Sequence, residues 1–280
     1  MKIKFKKMHG AGNDFVIMAF SEDLPNDLSA FAKSICDRHF GVGADGLMIA
    51  APSESDDVRM IFYNADGSVA EMCGNGVRCF SRFVYEEGLV SGKCFDVETL
   101  AGTQKIELKL KDDVLIDVKV NMGKAHVIAS EVPVICDKDI FENQEVDLDG
   151  QKLKLTSMRV GVPHTMVFDD DFNQKTVCHL GPKIEKHKIY PEKTNVNFVH
   201  VIDSETLRVA TWERGAGATL ACGTGACASF YAANKLKRVT DKVIVHVPGG
   251  ILKISKNDND EIIMEGNAVL VAEGFYYYEP

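Results

Sequence analysis

Two stretches of this chain, EMCGNGVRCF at 71–80 and LACGTGACAS at 220–229, both read Cys-Gly-x-Gly and stand 149 positions apart. An internal repeat restricts the fold more than composition does, because each copy must build the same supersecondary unit. At that offset VRMIFYNADGSVAEMCGNG (58–76) falls on LRVATWERGAGATLACGTG (207–225) without a gap. Arg59 meets Arg208, Tyr63 meets Trp212, Cys73 meets Cys222, and Gly74 and Gly76 meet Gly223 and Gly225. Upstream, GNDFVIMA (12–19) falls on GVPHTMVF (161–168), with Gly12 on Gly161. Between them VGADG (42–46) lands on PEKTN (191–195), a poor match. Blocks that keep one register and share turn glycines predict a duplicated domain.

The local patterns agree with two copies of one unit. VRMIFYN and LRVATWE are short, apolar and partly β-branched, so they read as strands. About ten residues of Gly-rich loop follow each strand and deliver the cysteine. GNGVRCFSRFVYEEG then places Val77, Phe80, Val84 and Tyr85 at helical spacing and stops at Gly88. GTGACASFYAANKLK repeats the stripe with Ala226, Phe230, Ala233 and Leu236. Many strand-like runs surround them, including QKIELKLK, VLIDVKV, QKLKLTSMRV, NVNFVHVI, DKVIVHV, GILKISK and AVLVAEG. Further helical patterns are few: DLSAFAKSICDRHF and CHLGPKIEKH. The expected fold is α+β, two pseudo-symmetric lobes, each a curved, mostly antiparallel sheet wrapped around one helix. The expected lobes are 1–122, joined by the C-terminal strand 268–280, and 123–267. The terminal FYYYEP is expected to pack as an edge strand or at a dimer contact.

Composition excludes some classes. A length of 280 residues suits two modest cores. The formal charge of −9 argues against a polyanion-binding surface, which needs clustered Lys and Arg. The start, MKIKFKKMHGAGNDFVIMAF, is basic and then apolar, but Gly10, Gly12, Asn13 and Asp14 interrupt it, so it does not read as a signal peptide. The expected setting is the cytoplasm, where the eight cysteines stay reduced.

A cysteine at a helix start meets the positive end of the helix dipole and N–H groups without intrahelical partners, which favours the thiolate. The Gly-x-Gly that follows lets an anion approach the backbone closely. Two lobes related by pseudo-symmetry would set two thiols on opposite sides of one bound carboxylate. A thiolate could then take the α-proton of an amino acid while a thiol returns one to the other face, inverting the centre. Other readings stand beside this one. Cys73 with Cys79, and Cys222 with Cys227, could be metal ligands, but neither pair is C-x-x-C and no compact His-Cys set completes four ligands. The Gly pairs lack a G-x-G-x-x-G in a βαβ frame. Duplication alone would also copy a structural core cysteine.

The chain resembles the diaminopimelate epimerase family of cofactor-independent amino-acid racemases. The resemblance runs through KMHGAGNDFV, RHFGVGADGLM, FYNADGSVAEMCGNGVRCF, NVNFV, WERGAGATLACGTGACAS and AVLVAEG. It implies interconversion of LL- and meso-diaminopimelate for lysine and peptidoglycan synthesis, with no cofactor or metal and usually a homodimer. Residue by residue, it implies Cys73 and Cys222 as the two bases, with Gly74, Asn75, Gly223 and Thr224 receiving the reacting carboxylate. Asn13 matches a contact to the reacting amino group. Asn64, Asn195, Glu213 and Arg214 match contacts to the far, L-configured end, and His164 and Glu213 a polar pair beside the thiols. Gly46 stands at a contact position where some relatives carry Gln. One departure concerns substrate choice: the family commonly has Gly-Asn-Pro-His where this chain has Gly161, Val162, Pro163 and His164. The repeat adds its own asymmetry, since Arg214 falls on Ala65, and a single unmatched guanidinium suits a second carboxylate held in one orientation. A racemase of another amino acid, such as histidine, and a non-catalytic amino-acid-binding clamp are the rival functions.

Overall fold

The structure is a computed structural model that describes residues 1–112 and 114–279. Pro280, the last residue of the predicted C-terminal strand, lies outside the described residues. The chain separates into two compact units: Met1–Val120 with the segment from Glu265 onward, and Asn121–Met264.

The first unit opens with β1 (Lys2–Gly10), β2 (Asn13–Ala19), β3 (Gly46–Ala51) and β4 (Val58–Asn64). It continues through β5 (Cys94–Glu98), β6 (Gln104–Lys111) and β7 (Val114–Asn121). Its helices are α1 (Leu28–Cys36) and α2 (Gly74–Glu86). The second unit holds β8 (Gln144–Leu148), β9 (Gln151–Val160), β10 (Val162–Phe168), β11 (Asn195–Asp203) and β12 (Thr206–Glu213). The short β13 (Gly217–Ala218), β14 (Lys242–Val247), β15 (Gly250–Lys256) and β16 (Ile262–Gly266) follow, with helices α3 (Gln174–Glu185) and α4 (Gly223–Lys235). The last strand, β17 (Val269–Tyr277), pairs antiparallel with β1. The fold is mixed α+β, as the pattern of many strands and few helices predicts.

The 149-residue register holds through the fold. Moving β2 by that offset gives the bounds of β10, and moving α2 gives those of α4. In the first unit β1 runs antiparallel to β2, β2 parallel to β3, and β3 antiparallel to β4. In the second, β9, β10, β11 and β12 repeat those three relations in order. Phe15 pairs with Gly46, and His164 pairs with Asn195 at the equivalent point. The segment that matches poorly in sequence, VGADG against PEKTN, thus leads to equivalent positions in the two units. The parallel pairings explain why β3 is buried at every residue, since a strand covered on both faces reads as one apolar run. Among the described residues antiparallel pairings nonetheless outnumber parallel ones, as expected of a mostly antiparallel sheet.

Each central helix is enclosed by its own unit. In α2, Val77, Phe80 and Val84 are buried, as the helical spacing predicts, and so are Arg78 and Ser81. Ser81 satisfies its hydroxyl by donating to the Val77 carbonyl at 2.7 Å. The Arg78 guanidinium donates to the Gly74 carbonyl and to Asn75 Oδ1, at 2.9 and 3.0 Å. The helix ends in a left-handed turn at Gly88 (φ 69), where the Leu89 N–H reaches back to the Val84 carbonyl. In α4 the same turn is made by Lys237 at φ 57, with Arg238 bonded to the Ala233 carbonyl.

Three local details go beyond the sequence patterns. The basic start of the chain is β1, whose Lys6 is buried and paired with Glu86 and Glu87. Burial opposes the Lys6 charge, but hydrogen bonds to the two carboxylates outweigh it and raise its pKa. Helix α3 begins at Gln174, ahead of CHLGPKIEKH, because Asn173 and Thr176 form a capping box. In the terminal tyrosines, Tyr278 is buried with its ring 5.0 Å from Phe31, and Tyr276 bonds Ser34 at 2.8 Å.

Candidate active site

Both Cys-Gly-x-Gly segments fold where an irregular loop, ending in one extended residue, becomes a helix. Cys73 is the N-cap of α2 with φ −139 and ψ 123, and Cys222 is the N-cap of α4 with φ −115 and ψ 109. Such a residue stands beside the first-turn N–H groups that have no intrahelical acceptor. The Gly225 N–H points at Cys222 Sγ, 3.4 Å away. The second glycine of each motif is a packing requirement. A Cβ on Gly76 would run into Met48 Cε and crowd the Cys73 Cβ, and one on Gly225 would strike Asn197 Oδ1 and sit 3.2 Å from Cys222 Sγ. Each helix start lies so close to its supporting strands that a Cβ there would have to displace a neighbour, the Met48 side-chain end at Gly76 and the hydrogen-bonded Asn197 amide at Gly225.

In the first unit Cys73 Sγ donates to Asn13 Oδ1 at 3.4 Å. The orientation of Asn13 is set from behind, since its Nδ2 donates to Asp45 Oδ2 at 2.6 Å. Asp45 in turn accepts from the Asp14 N–H and from Arg38. Arg38 also grips Asp14 with two bonds of 3.2 and 2.8 Å, and Lys7 lies 3.1 Å from Asp14. Burial would raise the Asp14 carboxyl, but hydrogen bonds from Arg38 and Lys7 prevail and hold it at about 2. Asn64 is half-buried and bonds Ser68 through both its backbone and its Nδ2. Gly46 is its register partner, and a Cβ there would press on the Phe62 ring at 2.6 Å. Asn75 is buried in the first turn of α2.

In the second unit His164 is fully buried on β10. Burial first, and then the charge of Arg214, lower its pKa to about 3, so its ring is neutral near pH 7. Its Nδ1 lies 3.2 Å from Asn197 Nδ2, and its Nε2 meets no hydrogen-bond partner among the described residues. Asn195 ties the neighbourhood together: its Nδ2 donates to the Pro163 carbonyl at 2.9 Å, and its Oδ1 accepts the Arg214 N–H at 2.8 Å. Arg214 is exposed, with Nη1 on the Glu192 carbonyl, and its counterpart Ala65 is exposed too. Glu213 Oε1 accepts from Thr219 Oγ1 at 2.6 Å. Thr224 Oγ1 stands 3.5 Å from Cys222 Sγ, and its Cγ2 is the atom nearest a Cβ placed on Gly161. Val162 is partly exposed at the start of β10.

The first unit therefore gathers Cys73, Gly74, Asn75 and Asn13 at one helix start. The second gathers Cys222, Gly223, Thr224 and, on strands packed against the helix, His164. Two sets of residues in these clusters carry no role in the sequence reading: Lys7, Asp14, Arg38 and Asp45 behind Asn13, and Asn197 with Thr211 behind His164. Lys7, Asp14, Arg38, Asp45 and Asn197 do lie inside the segments KMHGAGNDFV, RHFGVGADGLM and NVNFV that carry the family resemblance, whereas Thr211 lies outside them. Among the described residues no group of three or more His, Cys, Asp or Glu is arranged to hold a metal ion, and no helix is long and apolar enough to cross a membrane.

The fold is shared with solved structures of very different sequence. A phenazine biosynthesis protein of the PhzF family from Bacillus anthracis superimposes with a TM-score of 0.72 at 16% identity, over 99% of this chain and 100% of that one. A probable proline racemase from Agrobacterium radiobacter gives 0.71 at 14% identity, over 97% and 92%. These define the class, a duplicated α+β fold with a helix at the centre of each half. The chain belongs to the diaminopimelate epimerase family: the family model matches residues 5–128 and 156–271. Diaminopimelate epimerase of Alkaliphilus metalliredigens is 46% identical over 278 residues, covering 99% of this chain and 98% of the relative. That of Clostridium perfringens is 45% identical over 280 residues, covering 99% and 100%.

Proposed function

We propose that this chain interconverts LL- and meso-diaminopimelate by two-base proton transfer, with Cys73 and Cys222 as the bases. One observation carries the reading: the two units, on a single 149-residue register, each start an enclosed helix on a cysteine followed by Gly-x-Gly. The full-length relatives that bear the name diaminopimelate epimerase support the choice of substrate.

In the forward step a cysteine thiolate removes the α-proton and becomes a thiol. The electron pair left on carbon passes into the substrate carboxylate, and the other cysteine's thiol delivers its proton to the opposite face and becomes a thiolate. No electrons are gained or lost, and the roles of the two sulfurs are exchanged for the return direction. Charge developing on the carboxylate is the costly feature, and the first-turn amides at Gly74, Asn75, Gly223 and Thr224 are suited to receive it. Asn13, held by Asp45, takes the reacting amino group. Asn64, Asn195, Glu213 and Arg214 read the distal end, with Gly46 at the register partner of Asn64, and His164 with Glu213 orients the reacting centre. A homodimer and a cytoplasmic setting belong to the same reading. Val271, Phe275 and Tyr277 on β17 are exposed apolar side chains that a second copy could cover.

The test is α-deuterium uptake from deuterated water into LL-diaminopimelate. Uptake with formation of the meso isomer is expected, and Cys73→Ser or Cys222→Ser should each remove turnover. Val162, where the family commonly has Asn, is the feature that favours a second substrate, so histidine and other amino acids belong in the same assay. Exchange into one of those alone would replace diaminopimelate, and binding without exchange into any of them would identify a clamp.

A further inference from the structure

The cluster beneath the start of α4 contains a polar atom that the proposed chemistry leaves without a stated task. His164 is fully buried, and its Nε2 has no protein partner among the described residues. A buried polar atom left in this way is costly to fold around, and native proteins keep few of them.

The neighbours of the ring decide what that atom is. Asn197, itself fully buried, has its Nδ2 at 3.2 Å from His164 Nδ1, 3.5 Å from the Thr165 carbonyl oxygen and 3.8 Å from Met166 Sδ. The carbonyl oxygen and the thioether sulfur can only accept, so the amide nitrogen and not its oxygen must face them. At the other end of the amide, Thr211 Oγ1 donates to Asn197 Oδ1 at 2.9 Å. Asn197 therefore donates to Nδ1, Nδ1 accepts, and the ring proton sits on Nε2. Burial, reinforced by Arg214, keeps the ring uncharged, as its pKa of about 3 reflects.

The first unit supplies an internal control. At the 149-residue offset His164, Asn197 and Thr211 correspond to Phe15, Met48 and Phe62. Phe15 and Phe62 pack edge to face at 5.9 Å. Met48 and Phe15 are the side chains that a Cβ on Gly76 would meet, just as Asn197 and Thr211 are those that a Cβ on Gly225 would meet. One place in one fold is thus filled by three apolar side chains in one copy and by a buried polar chain in the other. Packing alone does not call for the polar set.

We propose that Asn197, oriented by Thr211, is a positioning residue that holds His164 in the Nε2–H tautomer, so that this N–H donates to a substrate oxygen as the α-proton moves. The tautomer stands on the hydrogen-bond network alone, whereas the donation to substrate rests on the epimerase reading above. A fixed neutral donor of this kind adds to the stabilisation of charge building on the carboxylate, and it needs no reorganisation during the reaction.

The test combines nitrogen-15 NMR of histidine-labelled protein with kcat and KM for LL-diaminopimelate. Wild type should show a protonated Nε2 and a bare Nδ1. Thr211→Val keeps the side-chain shape and loses the hydroxyl, so it should mix the tautomers and lower kcat roughly tenfold, with KM within about threefold. Thr211→Ser restores the hydroxyl at the expense of a methyl group and should restore both the tautomer and most of kcat. Asn197→Asp puts an acceptor at Nδ1, which should draw the proton there and lower kcat roughly a hundredfold. If Asn197→Asp leaves Nδ1 bare, or Thr211→Ser is worse than Thr211→Val, the cluster is a packing device and the proposal falls. If the tautomer responds as expected in a wild-type protein that does not epimerise diaminopimelate, the tautomer control stands and the reading of function falls instead.

Discussion

Phe15 and His164 occupy one position in two copies of the same unit, each paired in parallel register with the first residue of the next strand, Gly46 or Asn195. One is an ordinary core aromatic and the other a buried titratable ring. Burial and Arg214 depress the His164 pKa to about 3, below the 6.5 of an unfolded histidine. As pH falls below about 6.5 the unfolded chain takes up a proton there that the folded chain refuses, so stability drops with acid until about pH 3. The contribution is one proton, or about 1.4 kcal/mol per pH unit through that window. His164→Phe, which copies the first unit, should remove that slope, so denaturant unfolding at pH 7 and pH 4.5 should show a smaller acid loss than wild type. Epimerisation by His164→Phe should fall by roughly a hundredfold. An unchanged acid slope would mean that the histidine is not held neutral.

Gly76 and Gly225 should respond differently to alanine. At Gly76 the added Cβ meets the end of the flexible Met48 side chain, which can turn aside, and the helical preference for Ala offsets part of the strain. At Gly225 it meets the Asn197 amide, which is bonded to both His164 and Thr211 and cannot move without breaking those bonds. Gly76→Ala should cost about 1 kcal/mol or less, and Gly225→Ala about 2–3 kcal/mol. Urea unfolding of the two variants checks the order, and equal losses would show that the amide is free to shift.

These side chains also show what was legible in the chain and what was not. The duplication and the two helix starts were legible because Cys-Gly-x-Gly and its turn glycines serve the backbone, and both copies need the same backbone. The match between VGADG and PEKTN was not legible, because Gly46 and Asn195 share a register position but carry no side chain in common. Asn197 and Thr211 were hidden for another reason. In NVNFVHVI and LRVATWE they look like the polar members of half-exposed strands, and nothing local shows that α4 covers that face. Phe15, Met48 and Phe62 give the signal in retrospect, since an apolar trio aligned with a polar trio in the repeat marks a place where packing alone does not call for the polar set.

The cysteines should separate sharply by reactivity. Burial pushes Cys36 and Cys79 up to about 12, so at pH 8 only about one in ten thousand of either is thiolate. Cys94 and Cys178 are exposed. Iodoacetamide at pH 8 should label Cys94 and Cys178 in the native protein at least about a thousandfold faster than Cys36 or Cys79, and all four alike in denaturant. Peptide mass spectrometry over a time course reads the four rates. Labelling of Cys79 at the rate of Cys94 would show that α2 opens readily, contrary to a helix enclosed by its unit.

The last contrast lies at the far ends of the same helices. Gly88 and Lys237 make the same left-handed turn after α2 and α4, at φ 69 and φ 57. The turn closes in the same way, with Leu89 bonded to the Val84 carbonyl and Arg238 to the Ala233 carbonyl, at 2.8 and 2.9 Å. An L-residue in that region costs about 1–2 kcal/mol, while glycine enters it freely but loses more backbone entropy on folding. The Lys237 side chain is exposed, so its removal sacrifices little packing. Lys237→Gly should therefore stabilise the protein by about 0.5–1 kcal/mol, raising the urea midpoint without changing the slope. The reverse change, Gly88→Lys, should destabilise it by a similar or larger amount, and turnover should not change in either variant because both turns lie at the opposite helix ends from Cys73 and Cys222. A Lys237→Gly protein less stable than wild type would show that the lysine contributes more through its contacts than its backbone loses in strain.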